Sequence, residues 1–165
     1  MKKDLLSPLI LETSPNWKDY QLLDSGEGKT LERFGPYVLI RPRPQAIWPK
    51  TLPSSEWKKA NAVLVEEQQE YGGKWTLLNP MEKSWQLSYG KLRFQAQLSS
   101  SRHVGVFPEQ AAHWDWMSER ILESRKPFKV LNLFGYTGLA TVAAAAAGAE
   151  VTHVDSSKHA LSWAS

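Results

Sequence analysis

A chain of 165 residues with 42% hydrophobic and 22% charged residues is long enough for one ordinary domain, or for a small domain and part of another, and its composition is globular rather than disordered. The absence of cysteine excludes disulfides, thiolate metal sites and a cysteine nucleophile within these residues. A net charge of +3 is a mild basic bias that is compatible with nucleic acid without requiring it.

Residues 1–16 are predicted to be an amino-terminal extension. Their one apolar stretch, residues 5–11, is interrupted by Ser7 and Pro8 and is followed by no cleavage site, so it does not fit a signal peptide. No window of the sequence reaches the length of a membrane span. We therefore expect a cytoplasmic protein with no membrane segment.

Residues 17–100 are predicted to form a small β-rich accessory domain of the α+β kind. Short apolar runs alternate with turn clusters rich in glycine and proline. The clearest hairpin is residues 85–98, where apolar and polar residues alternate around a turn at Gly90. Residues 54–71 are predicted to be helical instead, because apolar residues recur there at helical spacing. These residues are Trp57, Ala60, Val63 and Leu64.

Eight tryptophans are the most unusual feature of the composition. Exposed aromatic rings among basic residues can stack on unpaired bases, whereas buried rings fill the core of a small domain. For any one tryptophan we favour the core.

The basic residues of the 17–100 segment also allow two interpretations, phosphate contacts or a solvated surface of mixed charge. The stiff sequence Arg41-Pro42-Arg43-Pro44 is expected to display its guanidinium groups, which suits phosphate contacts. Acidic residues are mixed into the same segment, so a solvated surface of mixed charge is slightly favoured on the residues alone. The basic residues concerned are Arg33, Arg41, Arg43, Lys50, Lys58 and Lys59.

Residues 101–165 are predicted to alternate helix, strand, helix, strand and helix, which is the opening of a doubly wound, Rossmann-like α/β sheet. The first helix spans residues 108–124, and its apolar stripe is Trp114, Met117, Ile121 and Leu122. The mostly apolar strand 128–134 is expected to be buried on both faces. A glycine turn, an alanine-rich helix (139–147) and a second strand (150–155) follow, and Ser156 or Ser157 is expected to cap the last helix.

A strand, a glycine turn, a helix and a second strand ending in an acid form an arrangement suited to binding a nucleoside. Glycine at positions 135 and 138 lets the backbone approach a ligand, and the helix that follows offers N–H groups at its start. Asp155 ends the neighbouring strand, from where its carboxylate can accept hydrogen bonds from both ribose hydroxyls.

The type of nucleoside follows from what the turn lacks. Neither the G-x-G-x-x-G pattern of dinucleotide sites nor the G-K-[ST] ending of a phosphate loop is present. A ligand with ribose and adenine but no pyrophosphate remains, and S-adenosylmethionine (SAM) is the obvious candidate. The alternative is that the two glycines only make a tight turn, but the acid at the end of the next strand favours cofactor binding.

Residues 132–138 (Asn-Leu-Phe-Gly-Tyr-Thr-Gly) resemble the first cofactor motif of class I SAM-dependent methyltransferases, above all the branch of ribosomal RNA large-subunit cytosine methyltransferases and their uncharacterised relatives. Residues 104–110 resemble the aromatic-and-glutamine loop of that branch. The resemblance is specific over about residues 85–158 and architectural before them. It implies a methionine site at 135–138 and a ribose site at Asp155. The residues implied to bind the cofactor are Phe134, Gly135, Tyr136, Thr137, Gly138, Asp155, Phe107 and Gln110.

Two departures from the pattern of that family argue against methyl transfer by these residues alone. Members that methylate C5 of cytosine use a cysteine that attacks C6, and this chain has none. The family's acceptor-side motifs are also missing, so the catalytic residues are expected beyond residue 165, in a chain that looks truncated. The segment as given is expected to be inactive in methyl transfer.

Three functions remain open on the sequence. The first is a SAM-dependent methyltransferase acting on RNA, with ribosomal RNA favoured by the resemblance. The second is a non-catalytic RNA-binding module with a vestigial cofactor fold, and the third is a methyltransferase of a small molecule or a protein. No metal is expected, because His103, His113 and His153 have no metal-ligand spacing and are each expected to be solvated or packed.

Overall fold

The computed structural model describes residues 17–66, 73–124 and 126–164. Its first part is a five-stranded sheet in the order β1-β2-β3-β4-β5. Three strands form an antiparallel meander, β4 then pairs parallel to β3, and β5 pairs antiparallel to β4. The strands are β1 (Tyr20–Gly26), β2 (Lys29–Phe34), β3 (Tyr37–Pro42), β4 (Ala62–Glu66) and β5 (Gly73–Leu77).

The predicted helix over residues 54–71 is wrong over residues 58–66. Only Ser54–Trp57 is helical (α1), and the chain then enters β4. In β4, Leu64 is 3% exposed and Val65 is 51% exposed, which is the period of a strand rather than a helix. Pairing with β3 on one side and β5 on the other decides the conformation of β4. Residues 67–71 of the predicted helix lie outside the described residues.

A carboxylate that the sequence did not single out fixes the loop before α1. Asp24 lies at a bulge in β1 and accepts hydrogen bonds from the N–H groups of Thr51 and Leu52 and from the Trp57 indole. Burial alone would raise the pKa of Asp24, but these hydrogen bonds outweigh it and hold the pKa below its ordinary value. The ionised form therefore stabilises this turn.

The predicted hairpin is confirmed as β6 (Ser84–Tyr89) and β7 (Leu92–Gln97). Gly90 opens its turn in the left-handed region, with φ 55°. Trp85, Leu87 and Ala96 are buried on one face, as the alternation of apolar and polar residues predicts.

The predicted order of helix, strand, helix, strand and helix is also confirmed, and the chain is of the mixed α/β class. A 3-10 turn (Pro108–Gln110) leads into α2 (Ala111–Glu123), followed by β8 (Lys129–Leu133), α3 (Leu139–Ala146), β9 (Glu150–Val154) and α4 (Lys158–Ala164). The strands β8 and β9 pair in parallel over their whole length. The Ser157 hydroxyl accepts a hydrogen bond from the Ala160 N–H at the start of α4.

Two expectations about burial fail in this second part. Strand β8 is not buried on both faces, because Leu131 is 61% and Leu133 is 53% exposed. In α2, Leu122 is 70% exposed, whereas Trp114 and Ile121 are buried as predicted. The β8–β9 pair thus presents one apolar face that the described residues leave uncovered.

One hydrophobic cluster joins both parts of the chain. Trp17 and Phe34 from the first part pack in the same cluster as Val104, Trp114 and Leu139 from the second. The proposed division at residue 100 stays a prediction. Of the eight tryptophans, four are buried and belong to the core: Trp17, Trp57, Trp85 and Trp114.

Candidate functional site

The loop between β8 and α3 has an unusual backbone. Phe134 and Tyr136 adopt left-handed conformations, with φ 55° and 51°, although neither is glycine. Each such residue costs on the order of 1–3 kcal/mol and persists only where its surroundings enforce it, most often at functional sites. Phe134 is also 88% exposed. The loop therefore holds an aromatic ring in solvent at a strained position.

Hydrogen bonds from neighbouring elements fix this loop. The Gly135 N–H donates to the Val154 carbonyl at 3.0 Å, and the Tyr136 N–H donates to Asp155 Oδ2 at 2.8 Å, so both bonds come from the end of β9. The Thr137 hydroxyl donates to the Gly105 carbonyl at 2.6 Å. The loop is thus held from β9 and from the segment that precedes α2.

His153 explains why residue 135 is glycine. A Cβ built on Gly135 would lie 2.3 Å from His153 Cε1, so the imidazole occupies the space that any side chain would need. The His153 Nδ1 atom is 2.8 Å from the Thr141 hydroxyl, which also accepts a hydrogen bond from the Asn132 amide. The sequence predicts that His153 is packed or solvated and that the glycine lets a ligand approach. The structure shows that the histidine supports the loop.

Asp155 keeps an ionised carboxylate at the end of β9. Its oxygens accept from the Ser157 N–H and the Tyr136 N–H, each at 2.8 Å, and these bonds hold the pKa of Asp155 below its ordinary value. Each carboxylate oxygen has a second lone pair, so the group can accept two further hydrogen bonds. This acceptor pair lies beside the strained loop.

Six of the eight predicted cofactor residues line one open pocket with a cavity volume of about 50 Å³. They are Phe107, Gln110, Phe134, Gly135, Tyr136 and Thr137. The Phe107 ring meets the Tyr136 ring edge-on at 5.0 Å between centroids, which connects the segment before α2 to the loop. Gly138 and Asp155 do not line this pocket. Gly138 instead starts α3 in the left-handed region, with φ 85°.

Trp114 forms part of the wall of the same pocket. Its ring is 3% exposed, and its indole N–H is buried with no hydrogen-bond partner among the described residues. Leaving a buried donor without a hydrogen bond costs about 1–3 kcal/mol. Such unsatisfied donors are unusual in folded proteins.

Similar proteins give the family context. A stretch of 74 residues is 43% identical to part of the ribosomal RNA large subunit methyltransferase K/L of Magnetococcus marinus, covering 44% of this chain and 10% of that protein. The crystal structure of the SAM-dependent methyltransferase from Agrobacterium tumefaciens matches with a TM-score of 0.87 and 45% identity, over 95% of this chain and 49% of that one. No family model matches the chain.

The predicted resemblance to SAM-dependent methyltransferases is confirmed. A further structure, of a protein assigned as a methyltransferase and complexed with S-adenosylhomocysteine (SAH), shares the fold with a TM-score of 0.59 at 18% identity, over 88% of this chain and 40% of that one. The chain spans about half of the Agrobacterium methyltransferase and about a tenth of the Magnetococcus protein.

The β-rich part contains a buried ion pair between Glu32 and Arg41. Glu32 is 3% exposed, and its carboxylate accepts from Arg41 Nε at 2.7 Å and Arg41 Nη2 at 2.6 Å. Burial alone would raise the pKa of Glu32, but Arg41 and the hydroxyls of Thr30 and Tyr20 outweigh it and lower the pKa. The expectation that Arg41 displays its guanidinium is therefore wrong, because the buried carboxylate retains it.

Most other basic residues singled out in that part also have local partners, as a surface of mixed charge requires. Lys50 pairs with Glu27 and lies 4.5 Å from the Trp57 ring centroid. Lys59 pairs with Glu56. Arg33 donates to backbone carbonyls.

Within residues 17–66, 73–124 and 126–164, no group of three or more histidine, aspartate or glutamate side chains is placed to hold a metal ion. Among the same residues, no helix is both long and apolar enough to cross a membrane.

Proposed function

We propose that this chain contributes the SAM-binding part of a methyltransferase that acts on RNA. The observation that carries the proposal is the ionised Asp155 carboxylate, which holds the Tyr136 N–H at the ends of two parallel strands. In open α/β sheets, ligands bind outside the carboxyl ends of the strands, and this is where the strained loop lies.

The residues fit a nucleoside with an amino-acid tail. The two remaining acceptor positions of Asp155 suit the two hydroxyls of a ribose. The exposed Phe134 ring offers an apolar face, and the backbone of residues 135–138 would surround the methionine end. Phe107 and Gln110, which line the same pocket, would close over it.

SAM, when bound, supplies a methyl group on a positively charged sulfur, and the sulfur keeps the electron pair of the broken C–S bond. The work of the protein is then mainly to hold donor and acceptor in line at short range. The hydrogen bonds that fix the loop serve this purpose, because a loop already ordered loses little entropy on binding. We assign no acceptor-side residue.

RNA is the proposed acceptor for two reasons. The Magnetococcus protein, 43% identical over 74 residues, is a ribosomal RNA methyltransferase, and this chain has a basic bias of +3. Ribosomal RNA is accordingly the substrate we favour, and the cytoplasm the location.

A methyl-transfer assay tests the proposal. A protein that contains this chain together with an acceptor-side part is incubated with SAM labelled in the methyl group and with RNA, protein and small-molecule fractions from cells that lack it. We expect label in RNA, and Asp155→Ala should remove most of it, whereas Glu150→Ala, which changes an exposed carboxylate at the other end of β9, should not. Label that appears only in the protein or small-molecule fraction would refute RNA as the acceptor.

A further inference from the structure

The unsatisfied indole N–H of Trp114 distinguishes it from the other buried tryptophans. Each of those donates its indole N–H to an oxygen of the protein: Trp17 to Ser88, Trp57 to Asp24 and Trp85 to Phe34. Trp114 is as deeply buried, but its N–H has no acceptor among the described residues. Because a buried tryptophan usually has a partner for this group, the missing acceptor needs a physical explanation.

The position of Trp114 suggests where an acceptor would come from. Trp114 lines the candidate cofactor pocket together with Gly135, Tyr136 and Thr137, which belong to the loop that we assign to the methionine end of SAM. The pocket volume of about 50 Å³ is room for about three to five water-sized groups. It therefore suits one end of a ligand rather than a whole nucleoside. Asp155, to which we assign the ribose, does not line it.

The chemistry of the donor restricts the acceptor. An indole N–H can only donate, so it suits the carboxylate of the methionine end and not the ammonium group. A charged acceptor also makes the stronger hydrogen bond. Trp114 lies in the first turn of α2, where the helix dipole favours a negative charge.

The pocket wall must shift slightly for an acceptor to reach the buried N–H. Gln110 precedes Trp114 by four residues, about one helical turn, and lines the same pocket. Gln110 is exposed, so its side chain is free to make this shift. Its amide group can then donate to the second oxygen of a carboxylate.

We propose that the Trp114 indole N–H binds the carboxylate at the methionine end of SAM and so selects ligands that carry this group. The inference rests on the proposed function for the presence of SAM in this pocket. Because the donor is already shielded from water, it gains a hydrogen bond on binding without losing one to solvent.

Calorimetric titration of SAM and of decarboxylated SAM, which keeps the nucleoside, the sulfonium and the amine, tests this contact. Trp114→Phe keeps an aromatic ring and removes the N–H, so it should weaken SAM binding by at least about tenfold and decarboxylated SAM by less than about twofold. The matched control is Trp85→Phe, a buried tryptophan outside the pocket, which should leave the ratio of the two affinities unchanged.

Two further measurements do not depend on the affinity of a variant. Trp114→Phe loses no hydrogen bond of the folded chain, whereas Trp85→Phe loses one, so Trp114→Phe should lower the urea midpoint less. In the wild-type protein, the indole N–H resonance of Trp114 in an NMR spectrum should move downfield with SAM and much less with decarboxylated SAM. This second measurement tests the contact even where a variant does not fold.

The outcomes separate this inference from the proposed function. Equal losses of both ligands in Trp114→Phe, or an unchanged affinity for SAM, would refute the role of Trp114 alone. The N–H would then be explained by its edge-on packing against the rings of Trp17 and Tyr89. A folded wild-type protein that binds neither ligand would refute the proposed SAM site itself.

Discussion

Gly135 is the residue at which sequence and site meet most directly. It is not among the glycines with left-handed backbones, so the reason for glycine is the space taken by His153. Gly135→Ala should cost about 1–3 kcal/mol of unfolding free energy through overpacking and should weaken SAM binding, because the loop must move. Urea unfolding and calorimetric titration measure the two effects.

A second substitution isolates this contact. Gly135→Ala combined with His153→Ala removes the collision, so the pair should be less harmful than the sum of the single changes by about 0.5–3 kcal/mol. Gly90→Ala is the control, since Gly90 is in the left-handed region of a hairpin turn with open space around it and should lose stability but not SAM affinity. Additive effects of Gly135→Ala and His153→Ala would show that the contact does not shape the loop.

The sequence alone predicts where the loop lies, but it does not predict which residues hold the loop in place. The glycines and Asp155 are close together in a local pattern, so their places at the ends of two strands could be predicted. The contact between His153 and Gly135 could not, because it depends on how β9 packs beneath the loop. The left-handed conformations of Phe134 and Tyr136 carry no sequence signal, since both residues ordinarily avoid that region.

Among the elements, the strands of the β-rich part depend on two ionised carboxylates. Asp24 and Glu32 both have pKa values below the ordinary 3.8 and 4.5. The unfolded chain therefore takes up protons first as the pH falls. The stabilisation is fully present above about pH 4.5 and is lost as the pH falls through the folded values.

Urea unfolding at pH 3 to 7 checks this dependence. Asp24→Asn should lower the unfolding free energy at pH 7 by about 1.5–3 kcal/mol and make its pH dependence shallower, because a charged acceptor of several N–H groups is lost. Glu119→Gln, a change at an exposed carboxylate on α2, should leave both unchanged. A pH profile of Asp24→Asn that is parallel to the wild type would contradict the role of Asp24.

Elements formed by local patterns were predictable, and elements set by distant partners were not. The β6–β7 hairpin and the α3 helix follow from alternation, glycine turns and alanine content within single segments. Strand β4 was mistaken for helix because its neighbours β3 and β5 decide its conformation from elsewhere in the chain. The exposed face of β8 likewise depends on what packs against it rather than on its own apolar sequence.

Over the whole molecule, Trp17 connects the two parts. Its ring contacts those of Tyr20, Tyr89, Phe94 and Trp114, and its indole N–H donates to the Ser88 carbonyl at 2.8 Å. Trp17→Ala should therefore cost about 3–5 kcal/mol and lower the stability of both parts together. Circular dichroism and tryptophan fluorescence should show one coincident unfolding transition.

The control for this prediction is Trp116→Ala on α2, where the ring is 56% exposed and the expected change is within about 0.5 kcal/mol. Two separate transitions, with only the first shifted by Trp17→Ala, would instead favour the division at residue 100 as two independent units.

The central claim is that the loop and Asp155 bind SAM, and calorimetric titration of SAM and SAH into the protein tests it most directly. We expect both to bind, with Asp155→Ala at least about tenfold weaker, equivalent to about 1.4 kcal/mol, and Glu150→Ala unchanged. No binding by the folded protein, or equal affinities for the wild type and Asp155→Ala, would contradict the claim.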